Sequence, residues 1–309
     1  MNENGLSLTS VRERFLALQT RIVREFERLD GAARFAGEDL STDGGGLSRP
    51  RVLENGKHIE KAAAHFTHSV GRALPPAASE RRPELAGHPF QAVAVSCIVH
   101  ARNPYVPAAH MNLRFFLVEA EPPAWHFGGG FDLTPFYAFE EDVVHWHRNA
   151  RAVCAAHGPW YDELKANCDA YFFLPHRGEP RGVGGIFFDD WTRGGFEASL
   201  AFVDAVGAHF LSGYVPIFER RAGVAWGERE ESFMLVRRGR YAEFNLAIDR
   251  GTRYGLQSGR RVESVLASLP PRVRWVYDYR PDPGSPEALL TEKFLPARNW
   301  LKPVDKSGD

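Results

Sequence analysis

Between residues 90 and 134 the chain alternates in a way that only a β-sheet can use. In "HMNLRFFLVEAE", His110, Asn112 and Arg114 fall on one side of an extended chain, and Met111, Leu113 and Phe115 fall on the other. "QAVAVSCIVH", just upstream, does the same and puts Ser96, Ile98 and His100 on a shared face. Both runs are β-branched and aromatic, and "ARNPYVPAAH" between them reads as a proline-rich loop. Two such strands would turn an apolar face to a core and gather two imidazoles, a hydroxyl, an amide and a guanidinium on the other. Polar groups there need solvent or partners, because burying them alone is costly. A solvated outer face and a binding surface both satisfy that requirement.

The next stretch, "WHFGGGFDLTPFY" (residues 125–137), sets three glycines among bulky aromatics and follows them with Asp132. Glycine weakens either regular element, so the run needs a reason. It marks a bulge or bend packed on a neighbouring segment, or a place where a broad, flat ligand lies on bare main chain with Asp132 beside it. No Gly-Lys-Ser/Thr follows, and no G-x-G-x-x-G opens a helix, so phosphate-loop and dinucleotide readings fail.

Elsewhere the pattern predicts a helix over 10–30, with Ser10 and Glu13 as a capping box and Gly31 as its stop. It predicts a glycine-rich loop or hairpin over 36–57, a helix over 58–70 and an exposed connector over 71–84. Helices are expected over 140–157, onward to Tyr171, and over 197–221, with a strand in "RGVGGIFFDD". "GRYAEFNLAIDRG" and "PRVRWVYDY" read as strands with a helix at "RRVESVLASLP" between them. Helices and strands do not alternate regularly. The expectation is therefore one α+β domain over 1–309, a largely antiparallel sheet rather than a doubly wound one.

Composition narrows the function. The formal charge of −1 on 309 residues argues against a general nucleic-acid or anionic-membrane binder. The three cysteines form no C-x-x-C pair and read as reduced thiols, no basic-then-apolar leader is visible at the start, and the longest apolar runs fall short of a ~20-residue span. A cytoplasmic protein without membrane insertion is expected. In "HWH" the two histidines diverge by about 200° on a helix, so at most one of His145 and His147 faces a given site. His176 sits in a basic loop with Arg177 and Arg181, which can meet carboxylates or be solvated. No H-E-x-x-H, G-x-S-x-G or thiolate cluster appears.

"SCIVHARNPYVPAAHMNLRFF", "WHFGGGFDLTPFY", "YFFLPHRGEPRGVGGIFFDD" and the segment from "RYAEFNLAIDRG" to "VRWVYDY" together resemble the oxygen-dependent coproporphyrinogen III oxidases of bacteria, in one order over nearly the whole chain. The resemblance implies a single α+β domain, a large flat antiparallel sheet flanked by helices on both faces, working as a homodimer with residues 240–276 in the dimerisation region. It implies aerobic oxidative decarboxylation of the ring A and B propionates of coproporphyrinogen III, with O₂ as co-substrate and no organic cofactor. It places Ser96, Asn112, Leu113, Arg114, Gly259, Arg260 and Arg261 at substrate positions, His110 at the proton donor, and Asp132 at an acid that engages pyrrole N–H groups. Arg260 stands where the family usually has glycine. It also places His100, His110, His147 and His176 at positions proposed for a divalent metal. Those histidines can equally form a hydrogen-bonded relay. A non-catalytic tetrapyrrole-binding dimer and a histidine-metal hydrolase are the rival readings.

Overall fold

The computed structural model describes residues 7–74, 83–257 and 260–302. Seven antiparallel strands make the main sheet in the order β1-β2-β3-β4-β5-β6-β9. They are β1 (Leu40–Thr42), β2 (Gly46–Glu54), β3 (Ile59–Gly71), β4 (Phe90–Ala101), β5 (Ala108–Val118), β6 (Ala124–Thr134) and β9 (Gly184–Trp191). A two-stranded ribbon, β7 (Phe173–Leu174) with β8 (Glu179–Pro180), stands apart. The helices are α1 (Leu8–Asp30), α2 (Glu140–Ala155), α3 (Tyr161–Tyr171), α4 (Gly195–Arg221), α5 (Glu228–Ala247), α6 (Arg250–Gln257), α7 (Val262–Leu266) and α8 (Pro286–Leu289). The expected α+β class with an antiparallel sheet is what the chain forms.

The alternation that opened the sequence reading sets the layers. Val93, Val95, Cys97 and Val99 of β4, Met111, Leu113 and Phe115 of β5, and Phe127, Phe131 and Leu133 of β6 are all buried on one face. Against them pack Val11, Phe15, Ile22 and Phe26 of α1 and Val203, Val206 and Phe210 of α4, in one continuous core. The helix α4 is long and apolar enough to cross a membrane by length and composition, but half of its apolar window is buried against this core. On the opposite face, Tyr241 of α5 packs on Ala63 and Ile98, and Phe244 packs on Phe172 and Phe187. Cys97, Cys154 and Cys168 are free and buried.

Four local expectations need correction. Residues 58–70 form strand β3, not a helix: the three alanines favour a helix in isolation, but Ala62, Ala64 and Phe66 share the core side in step with Val99, Cys97 and Val95 across the ladder. "GRYAEFNLAIDRG" is helical. It closes α5, whose buried Met234, Arg238, Tyr241 and Asn245 recur at helical spacing and whose Glu228, Glu230 and Glu231 complement the positive end of the helix dipole. "PRVRWVYDY" joins no strand; Arg274 N–H donates to Leu235 O at 2.9 Å, so the segment lies along α5 rather than on a sheet edge. The α1 cap is Ser7, whose hydroxyl accepts from Ser10 N–H at 3.1 Å, three residues before the expected one. The 36–57 segment is the expected hairpin, and Gly31 ends α1 in the left-handed region at φ 75°. The expected connector over 71–84 falls partly outside the described residues.

The glycine run lies inside β6, where the pairing with β9 slips between Phe127 and Gly129. Gly129 and Gly130 take φ of 149° and 145°, and a Cβ on Gly130 would sit 2.0 Å from Ile186 O. These glycines therefore sit at a bulge in which Gly130 is pressed against β9 and Gly129 against Asn112 O of β5. Gly130→Ala is expected to lower stability by at least about 2 kcal/mol, from strain at positive φ and a backbone clash. A urea unfolding curve displaced by less than half of that would remove the argument.

Candidate active site on the sheet face opposite the core

Register turns the second face of the sheet into rows. His65, Ser96, Asn112 and Gly130 face one another across β3, β4, β5 and β6. Beside them run Thr67, Ala94, Arg114 and Gly128, and on the other side Ala63, Ile98, His110 and Asp132. Small residues occupy the middle of the surface, and Ala94, Ser96, Asn112 and Arg114 are half-exposed. The face is therefore a low, polar floor rather than a second core. A Cβ on Gly128 would sit 2.8 Å from Nε of Arg114, so that glycine admits the guanidinium of this chain's own Arg114.

Asp132 is 2% exposed, and its neighbours occupy both oxygens. Arg181 donates through Nη2 to Oδ1 at 2.8 Å and to Oδ2 at 2.9 Å, and through Nε to Oδ2 at 3.2 Å. His110 Nδ1 lies 2.9 Å from Oδ1. Burial pushes the carboxyl pKa up, but the Arg181 charge and the His110 and Arg181 hydrogen bonds outweigh it and hold the group below its ordinary value. An ionised carboxylate only accepts, so the proton on Nδ1 points at Asp132 and fixes the imidazole tautomer. The second ring nitrogen of His110 has no hydrogen-bond partner among the described residues, and the side chain is 25% exposed.

The expectation that Asp132 reaches pyrrole N–H groups is thus corrected. Its four acceptor positions are filled by Arg181 and His110. Arg181 itself is buried, its guanidinium packed on the rings of Phe172, Tyr241 and Phe244 at 4.3, 4.5 and 4.6 Å, with Nη1 donating to Asn245 at 2.9 Å. The sequence left it as a loop arginine of undecided role. The signal that would have found it is the helical spacing of Tyr241, Phe244 and Asn245, which the strand reading hid.

Around this pair stand an aromatic wall and a second charge network. Tyr171 stacks on Phe187 at 4.3 Å, and the His110 ring meets the Phe172 edge at 5.9 Å. Arg114 pairs with Asp189, hydrogen-bonds Asn112 at 3.0 Å and lies over Phe187. Arg250 reaches the other oxygen of Asp189 at 2.5 Å and stacks over Tyr171. Asp189 and Arg250 carried no expectation, because nothing in the local sequence ties β9 to α6.

The remaining expected residues divide. Ser96 and Asn112 share the floor with Arg114. Leu113 points into the helical core at 0% exposure, so its side chain packs rather than binds. Gly259 lies outside the described residues. Arg260 reaches Ser69 Oγ of β3 at 3.1 Å, while Arg261 is half-exposed and pairs with Glu38 and Glu263.

The four histidines do not come together. His100 is buried with Nε2 3.0 Å from Ser268 O, and its Nδ1 has no partner among the described residues. His147 is fully buried; Nε2 donates to Val183 O at 3.0 Å, and Nδ1 accepts from the Tyr161 hydroxyl at 2.9 Å. His176 pairs with Glu243 at 2.9 Å on the surface. Among the described residues no group of three or more His, Cys, Asp or Glu side chains is placed to hold a metal. The proposed ligand set therefore does not fit one metal in this chain: no three of its members come together among the described residues, and both ring nitrogens of His147 are already engaged. An open cleft of about 1110 Å³ exists elsewhere, near Glu84, Glu119, Glu121 and Asp190. It sits at the β5–β6 turn, roughly 30 Å along the strands from His110. Its carboxylates make it a poor seat for an anion.

With this geometry in place, the comparison with known families is decisive. The family described as coproporphyrinogen III oxidase matches residues 10–300 of the 309. The chain belongs to the coproporphyrinogen III oxidase family. The family consists of oxidative decarboxylases of haem biosynthesis, and it implies coproporphyrinogen III as substrate.

Two outcomes follow from the buried charges. Removing the guanidinium alone by Arg181→Met leaves Asp132 buried with only the His110 hydrogen bond, and is expected to cost about 3–5 kcal/mol, measured by denaturant unfolding. Burial and the nearby Lys165 charge hold His147 down at a pKa of about 3. A free histidine titrates near 6.5, so as pH falls below that value the unfolded chain takes the proton and the folded chain does not. His147 thus contributes stability in full above about pH 6.5 and progressively less toward pH 3. By pH 5 the loss is about 2 kcal/mol, and His147→Gln should remove that part of the difference between pH 8 and pH 5.

Proposed function

We propose that the chain carries out the aerobic form of the family reaction. Each propionate –CH₂CH₂COOH of rings A and B, with one O₂, gives –CH=CH₂, CO₂ and H₂O₂. Coproporphyrinogen III becomes protoporphyrinogen IX after two such steps. The electrons come from the propionate C–H and C–COO⁻ bonds, and the electron-rich macrocycle relays them, so binding and orientation carry most of the catalysis. The observation supporting this reading is the Asp132–His110 pair beside the cationic floor. A carboxylate fixes the tautomer of an imidazole, and the other nitrogen of that imidazole is unclaimed among the described residues.

In this reading His110 is the catalytic residue, giving or taking a proton at the reacting pyrrole or propionate. Asp132 is a positioning residue that acts through His110. Arg114, with Arg250 beside it, receives a propionate by charge-assisted hydrogen bonds. Ser96, Asn112, Arg260 and Arg261 are the further substrate contacts. A homodimer in the cytoplasm is part of the same proposal, with residues 240–276 in the interface.

The assay is turnover of coproporphyrinogen III with and without air, following protoporphyrinogen and peroxide. Product that needs O₂ and appears with one H₂O₂ per propionate supports the reading; tight binding without turnover would make the chain a carrier. His110→Asn is expected to lower kcat by about 10²–10⁴. Asp132→Asn should also flatten the pH profile of kcat, a change that loss of packing alone would not produce.

A further inference from the structure

One strip of the floor, carried by β3, holds Lys61, His65 and Ser69, to which no role has been given so far. On β3, Lys61, His65 and Ser69 are four residues apart and share the floor side. Opposite His65 stands Ser96, and next in that row is Asn112. Arg260 arrives from beyond α6, donates to Ser69 Oγ at 3.1 Å and lies over Tyr254.

This strip is cationic, with only the Glu54 charge near Lys61 to offset it. Neither Lys61 nor Arg260 has a carboxylate within ion-pair distance among the described residues; Glu54 is opposite Lys61 in the ladder but makes no ion pair with it. The His65 Nε2 is buried without a hydrogen-bond partner among the described residues. Buried polar atoms are almost always satisfied, so an orphan nitrogen between two unpaired cations points to an absent acceptor. The other cations of the site, Arg181 and the pair Arg114 and Arg250, hold Asp132 and Asp189 respectively. From His65 to Gly130 the row spans three strand spacings, roughly 14 Å, the scale of a substituted tetrapyrrole.

We propose that Lys61, His65 and Arg260 form an anion subsite at the β3 end of the floor, taking one carboxylate of the tetra-carboxylate substrate, with His65 Nε2 as a hydrogen-bond donor to it. This rests on the proposed function and deepens it. In the free protein, burial together with the Lys61 and Arg260 charges pushes His65 down to a pKa of about 4. A bound carboxylate reverses the charge around the ring and favours the imidazolium. The groups facing His65 from neighbouring elements are Ser96 of β4 and Arg260; His100 lies opposite Lys61.

The test uses the full chain and coproporphyrin III, the oxidised and unreactive tetra-carboxylate. The His65 ring is followed by NMR across pH with and without it, and Kd is measured for the wild type, Lys61→Met and His65→Ala. A His65 pKa rising from about 4 to above 5 on binding, with Kd weakened about tenfold in each variant, supports the subsite. If the wild type binds while His65 does not shift and the variants bind as tightly, the subsite is wrong and the family reaction stands. If the wild type neither binds coproporphyrin III nor converts coproporphyrinogen III, the functional reading fails and takes the subsite with it. The NMR titration needs no variant, so a misfolded substitution leaves the test intact.

Discussion

A carboxylate cannot be buried under a sheet face without a cation to answer it, and in this chain the answer comes from far away in sequence. Asp132 sits on β6, Arg181 in the loop before β9, and the rings enclosing the guanidinium belong to Phe172 and to Tyr241 and Phe244 of α5. Moving both charges out of water is expensive, and only a saturated set of hydrogen bonds with a polarisable wall repays it. That set exists here: three donor contacts from Arg181, one from His110, and Asn245 on the far side of the guanidinium. The same contacts bind α5 to the polar face of the sheet. One ion pair thereby fixes a helix position, an imidazole tautomer and the edge of the floor.

The glycine run shows how packing and site geometry share residues. Gly129 and Gly130 exist for the bulge against β9, and Gly128 for the Arg114 guanidinium. Neither reason needs a ligand. The result is nevertheless a surface with nothing tall at its centre, since Ala94 and Ser96 lie in the adjoining rows. A wide apolar ring gains most from such a floor, because the area buried scales with close, flat contact. A structural constraint on β6 thus leaves the flat surface that the proposed macrocycle would need.

The period-two runs made β4, β5 and their two faces legible, because alternation is a direct image of the pleat. The alternation alone therefore puts His110, Asn112 and Arg114 on one face, with Ser96 beside them. Strand β3 was not legible: alanine carries little preference once neighbours decide, and reading a helix there hid His65 and Lys61. The helix α5 was missed for the opposite reason, since Phe244, Leu246 and Ile248 fall two apart near its end, and with it went the wall around Arg181. The histidine cluster failed on distance. Nothing in spacing says that His147 answers to Tyr161 and Val183 while His176 answers to Glu243.

The cations of the floor divide into two kinds, and the division bears on how an anionic substrate would be held. Arg114 and Arg250 share Asp189, so a carboxylate arriving there must join a three-member network or take that aspartate's place. Exchange of one carboxylate for another keeps the local charge balanced and changes little in net energy, which suits a position that has to release product. Lys61 and Arg260 form no ion pair among the described residues, so a carboxylate binding beside them relieves repulsion on His65 already present in the free protein. The second kind of contact gives more affinity for each hydrogen bond formed, since no internal partner is lost. A tetra-carboxylate gripped firmly at the β3 end and exchangeably at the Arg114 end would keep its register while the propionate nearer His110 reacts.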